Sequence, residues 1–139
     1  MRVEDRARAE IAAAEEMLAE AYELVVSGWC QGACARDASG RPVEPASVFA
    51  RQWSAPGALE RIWRRAADGE VGGLDAFERA NLALAAAVHG VPQEWNDEAE
   101  RHQSQVLDAI AEAIFLLAIG DADADPLAAG EAAVGLSAT

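Results

Sequence analysis

The chain has 139 residues and a formal net charge of −13, from 24 acidic residues against 11 basic ones, all of them arginine. That length suits one domain with a core of its own, without metal or disulfide staples. The charge argues against direct contact with nucleic-acid phosphates or an anionic membrane, because such contact rests on a basic patch. It reads as a device for solubility rather than as mimicry of a nucleic acid.

Hydrophobic residues make up 52% of the chain, but many are alanine, which favours helix and fills little volume. The four tryptophans, three phenylalanines and one tyrosine are therefore expected to supply much of the buried area. Arg2, Glu4, Asp5, Arg6 and Arg8 break up any signal-peptide core at the start. The longest apolar run, 113–119, is too short to span a membrane. Cys30 and Cys34 do not make a disulfide framework. A cytoplasmic protein is expected.

Over residues 2–27, Val3, Ala7, Ile11, Ala14, Leu18, Ala21 and Val25 recur at steps of three and four, which is one face of an α-helix. Glu10, Glu16, Glu20 and Glu23 hold the opposite face, and Gly28 is placed to end the helix as its C′ residue. Residues 28–45 are rich in glycine and proline and read as an ordered loop, with turn chemistry at Asp37-Ala-Ser-Gly40. Pro45 can open a short helix that carries Val48, Phe49 and Trp53 inward.

Ser54 is placed to cap a helix with Pro56 near its start and Ala58, Leu59, Ile62, Trp63 and Ala66 on its buried stripe. Asp68-Gly69 would end that helix, with a loop over 69–74. Asp75-Ala-Phe-Glu78 has the form of a capping box for a helix over 76–89, stopped by Gly90 and Pro92. Asp97-Glu-Ala-Glu100 is a second such box. It would start a long last helix with Val106, Leu107, Ile110, Ile114 and Leu117 inward, closed by Gly120. Residues 121–139 are acidic and small, and read as a flexible or loosely docked tail. No segment alternates with period two over a strand length, so no sheet is expected. The fold class is all-α: a four- or five-helix bundle over 1–120, followed by the tail over 121–139.

Three short signatures occur together: Gly28-Trp-Cys-Gln-Gly32, Gly57-Ala-Leu59, and Trp95-Asn-Asp97 followed by Arg101 and Val106. In this combination the chain resembles, over residues 10–117, a family of small helical actinobacterial proteins that carries only a domain-of-unknown-function label. The resemblance implies a helical fold and that setting; it brings no activity with it.

Trp95-Asn96-Asp97 has a structural reading, with Trp95 plugging the end of the bundle and Asn96 or Asp97 capping the last helix. Its functional reading makes Asp97 a catalytic general base, with Trp29, Gln31, Trp95 and Asn96 as ligand-binding residues around it. Gly28-Trp29-Cys30-Gln31-Gly32 likewise divides between a helix end packed on the core and the mouth of a cleft. Cys30, Cys34, His89 and His102 lack the spacing of a zinc site, and neither cysteine has an evident activating partner. Arg61, Arg64 and Arg65 form the one basic cluster, expected to make bidentate ion pairs between helices, with a binding site for a phosphate or acidic metabolite as the lesser alternative. Phosphate-loop, dinucleotide, nucleophile-elbow and His-Glu-x-x-His motifs are missing, so no cofactor and no metal are called for.

Two functional classes follow. The first is a non-catalytic protein that binds a partner protein or a small molecule, with an apolar helix face that could also serve a homodimer. The alternative is a small cofactor-independent enzyme of cyclase or isomerase type in specialised metabolism. It would position an apolar substrate in an aromatic-lined pocket and use one carboxylate for proton transfer.

Overall fold

The computed structural model of the chain describes residues 2–66 and 73–124, with side chains described through residue 120. Five helices and two short strands follow in the order α1 (Val3–Ser27), β1 (Ala35–Asp37), β2 (Ala50–Trp53), α2 (Ala55–Ala66), α3 (Gly73–Val88), α4 (Pro92–Asn96) and α5 (Gln103–Ala124).

α1 buries Ile11, Ala14, Leu18, Ala21 and Val25 as the period requires, with Met17 added. Val3 does not join them and is 82% exposed at the first turn. On the acidic face Glu10 reaches across to Arg79 of α3, 3.0 Å away. Gly28 follows the last helical residue, but its backbone is extended rather than left-handed. It is glycine for another reason: a Cβ there would run into the carbonyl of Arg51.

The loop after α1 contains a small sheet, contrary to expectation. β1 and β2 pair antiparallel with Ala35 opposite Trp53, Arg36 opposite Gln52 and Asp37 opposite Ala50, so the register skips Arg51. The strands have three and four residues, too few to show an alternating pattern. Their stability comes from packing rather than length. The short helix expected from Pro45 is replaced by turns running into β2. Trp53 goes inward, whereas Val48 and Phe49 stay exposed.

Ser54 caps α2 as predicted, its Oγ accepting from the Gly57 N–H at 3.0 Å. Ala58, Leu59 and Ile62 are buried along the helix. Trp63 is half-buried and stacks on Phe77 of α3, with ring centroids 4.4 Å apart and planes 6° from parallel. The ending at Asp68-Gly69 and most of the 69–74 loop fall outside the described residues.

α3 is already helical at Gly73, so Asp75 lies inside its first turn and is not its cap. Its far end is a Schellman motif. The Gly90 N–H donates to the Ala85 carbonyl and the His89 N–H to the Ala86 carbonyl. His89, not Gly90, takes the left-handed position, with φ 56°.

α5 begins six residues after Asp97, at Gln103. The Gln105 side chain accepts from the His102 N–H at 2.8 Å, which is half of a capping box built on His102. α5 packs against α1 and α3 through Val106, Ile110, Ala113 and Leu117, with Leu107 and Ile114 half-buried. The helix runs through Gly120 to Ala124, because a lone glycine inside a helix costs only about 1 kcal/mol. The rest of the expected tail, 125–139, lies outside the described residues. Among the described residues α5 is also long and apolar enough, over Gln103–Gly120, to cross a membrane by length and composition, although Asp108 and Glu112 interrupt it.

The helices surround one cluster of Leu18, Val25, Leu59, Leu84, Val106 and Ile110. The core is aliphatic. Of the four tryptophans only Trp53 is buried, while Trp29, Trp63 and Trp95 pack against its edge. Among the described residues two polar side chains, Ser54 and Asn96, are also fully enclosed.

Candidate functional site

An amide without access to water must find its partners within the protein. Asn96, at the end of α4, is fully buried and uses both ends of its side chain twice. Its Oδ1 accepts from the Trp29 indole at 2.9 Å and from the Ala55 backbone N–H at 3.0 Å. Its Nδ2 donates to the Cys30 carbonyl at 3.1 Å and to Asp97 Oδ1 at 2.9 Å. That is the full capacity of a carboxamide. One side chain thereby joins the segment after α1, the start of α2 and the end of α4.

Asp97 is the C-cap residue of α4, not the N-cap of α5. Its Oδ1 accepts from the Gly32 N–H at 3.0 Å, and Gln93 Nε2 bridges both its carboxylate oxygens at 3.0 and 3.1 Å. Burial by itself would raise the Asp97 pKa. The hydrogen bonds from Gly32, Asn96 and Gln93, with the Arg36 charge beyond them, outweigh it and hold the carboxyl below its ordinary range. A carboxylate held this way is a poor proton acceptor.

Gln31 Nε2 donates to the carbonyls of Asn96 and Glu98 at 2.9 and 2.8 Å. The Gln31 carbonyl in turn accepts from the Arg36 guanidinium at 2.9 and 3.2 Å. Trp95 is held by Arg101 instead. The Arg101 guanidinium lies 3.8 Å from its ring centroid and donates to its carbonyl at 3.0 Å.

The five residues singled out from the sequence thus fall in one neighbourhood, and four of them share a continuous hydrogen-bond network. Trp95 is linked to it through the backbone of α4. Gln93 and Ser54 belong to the same network without having been singled out for it. Ser54 Oγ donates to Gln93 Oε1 at 2.9 Å while it caps α2. The capping role of Ser54 is visible in the sequence, but its partner 39 residues away is not.

The network also explains two glycines. Gly57 lies where a Cβ would collide with the Cys34 carbonyl, so the first turn of α2 can pack directly on the loop. Gly32, with φ 77°, is left-handed and turns its N–H toward Asp97.

Burial pushes the Cys30 thiol up to about 11, and its Sγ lies 3.6 Å from the Ala33 carbonyl. Burial also raises the exposed Cys34 thiol, helped by the Glu60, Asp97 and Glu44 charges. Neither is an activated nucleophile. Among the described residues, Arg61, Arg64 and Arg65 do not form the expected bidentate pairs between helices. Arg64 approaches Glu60 one turn earlier in α2, at 3.6 Å, whereas Arg61 binds the carbonyls of Pro45 and Ser47, both at 2.9 Å.

A groove of about 330 Å³ lies apart from this network, between α1 and α2. Ala13, Met17, Ile62 and Ala66 are its apolar lining, with Glu16, Glu20 and Arg65 at its charged positions.

Fold and network together define a small helical domain whose connecting segments are clasped by one buried asparagine. Residues 5–116 match the family of unknown function DUF6197, and the chain belongs to that family. No curated protein and no solved structure matches it significantly.

Proposed function

We propose that the chain is a non-catalytic binding domain that engages a partner protein or a small ligand. The observation that carries this reading is the engagement of Asn96 and Asp97 in one hydrogen-bond network, with every donor and acceptor site of the Asn96 amide occupied. The residues best equipped for chemistry use their donors and acceptors on one another and on the backbone, and so act as a clasp. A general base needs a lone pair within reach of substrate and a pKa near the working pH. Asp97 has its Oδ1 surrounded by three donors and its pKa shifted away from neutrality.

In this reading a small ligand has room in the α1–α2 groove, whose volume is at the low end for ligand sites, about 300–1,000 Å³. A protein partner would use exposed apolar residues instead. Native mass spectrometry of the freshly purified protein tests the proposal. An added mass, from a metabolite or a second protein, supports it and gives the class of ligand. Turnover of a substrate that Asp97→Asn abolishes while the fold is unchanged would overturn it in favour of the enzyme.

A further inference from the structure

The turn before β2 exposes two large apolar side chains side by side. Val48 is 76% exposed and Phe49 is 68% exposed, while Pro45 and Ala50 on either side are buried. The turn is nevertheless held firmly. Phe49 N–H donates to Ser47 Oγ at 3.1 Å, and Ala50 N–H to the Ser47 carbonyl at 3.2 Å. Arg61 Nη1 binds the carbonyls of Pro45 and Ser47, and Arg51 Nη1 binds those of Val48 and Ala50 at 3.0 and 2.8 Å. Two guanidiniums therefore converge on the backbone that presents Val48 and Phe49.

Among the described residues no ion pair with a carboxylate involves Arg51 or Arg61, and Arg61 Nε is buried without a hydrogen-bond partner. Burial, then the nearby charges of Arg65 and Arg51, make the Arg61 guanidinium easier to deprotonate than usual. A chain of net charge −13 thus gathers positive charge behind its most exposed aromatic ring. Rigid, preorganised apolar side chains lose little entropy on binding and make effective anchors.

We propose that the 47–49 turn, backed by Arg51 and Arg61, is a docking surface for an acidic segment of a partner protein that carries apolar side chains. The proposal rests on the binding-domain reading and gives it a surface and a partner chemistry. Charge complementarity selects this occupant. Two copies meeting turn to turn would set arginine against arginine, and an extended anionic membrane, unlike a short segment that meets only the turn, would also face the acidic remainder of the chain.

Random-peptide display on the full-length protein, followed by binding titrations with the selected peptides, tests this. The expected peptides combine Asp or Glu with an apolar residue. Phe49→Ser should weaken them about tenfold or more, with Val48→Ser as a second exposed substitution and circular dichroism as the check on folding. Arg51→Gln should weaken them severalfold at low salt, with a smaller effect at high salt. Peptides that bind Phe49→Ser and Arg51→Gln like the wild type would overturn this surface and leave the binding-domain reading standing. Failure to select any peptide, or Phe49-dependent binding to phosphatidylglycerol vesicles instead, would also overturn it. The mass-spectrometric test of the broader reading is independent of each of these results.

Discussion

The Trp29 indole donates to the side-chain carbonyl of Asn96 at 2.9 Å, joining residues 67 positions apart in the chain. The same oxygen takes the Ala55 N–H, so the end of α1 and the start of α2 are both held by a side chain of α4. Closing so long a loop costs entropy, which the saturated amide and the packing around it must offset.

Asn96→Ala should therefore be among the most damaging single changes. It strands the Trp29 indole and the Ala55 N–H, and each buried unpaired group costs about 1–3 kcal/mol. Urea denaturation should show a loss of roughly 3 kcal/mol or more. A loss under about 1 kcal/mol would mean that the network does not clasp the fold.

Asp97→Asn should lower stability at neutral pH, because the amide offers one acceptor oxygen where the carboxylate offers two. The effect has a definite sign with pH. The folded-state pKa of Asp97 is depressed, so its contribution is present above the unfolded aspartate value of about 3.9 and is lost as pH falls through the folded value. The stability gap between wild type and Asp97→Asn should be constant above about pH 5 and narrow in more acid solution. A gap that widened below pH 4 would contradict this assignment.

His89→Gly should stabilise the protein. A non-glycine residue in the left-handed region costs roughly 1–2 kcal/mol, of which glycine's extra freedom in the unfolded chain returns a part. A net gain of about 0.5–1 kcal/mol is expected, visible as a rise of a few degrees in melting temperature.

Gly57→Ala should act in the opposite sense to most glycine-to-alanine changes in helices. The added methyl meets the Cys34 carbonyl, and overpacking against backbone costs about 1–3 kcal/mol or more. Thermal melts of this variant and of Gly120→Ala, an exposed position inside α5 with open space around it, separate the steric effect from helix propensity.

Thiol labelling at pH 8 should modify Cys34 slowly and leave Cys30 intact in the folded protein, since Cys30 is buried and its pKa is near 11. Both should react once the chain is unfolded in urea. Fast labelling of Cys30 under native conditions would show that the loop after α1 opens readily.

Local chemistry by itself determined the long first helix, the Ser54 cap, the stripe of α2 and the inner face of α5, because a 3.6-residue period and a capping hydroxyl act over a few neighbouring residues. It also singled out Trp29, Gln31, Asn96 and Asp97 as residue types with more to do than fill space. Only the tertiary structure decided what they do. Asp97 precedes a Glu-rich turn and resembles a helix cap, yet the acceptor sites of a carboxylate are taken by whichever donors packing brings near, here Gly32, Gln93 and Asn96. The two strands and the outward turn at Val48 and Phe49 were hidden for the same reason. Three or four residues carry too little pattern of their own, and their pairing is fixed by segments that meet only when α1, α2 and α4 have packed.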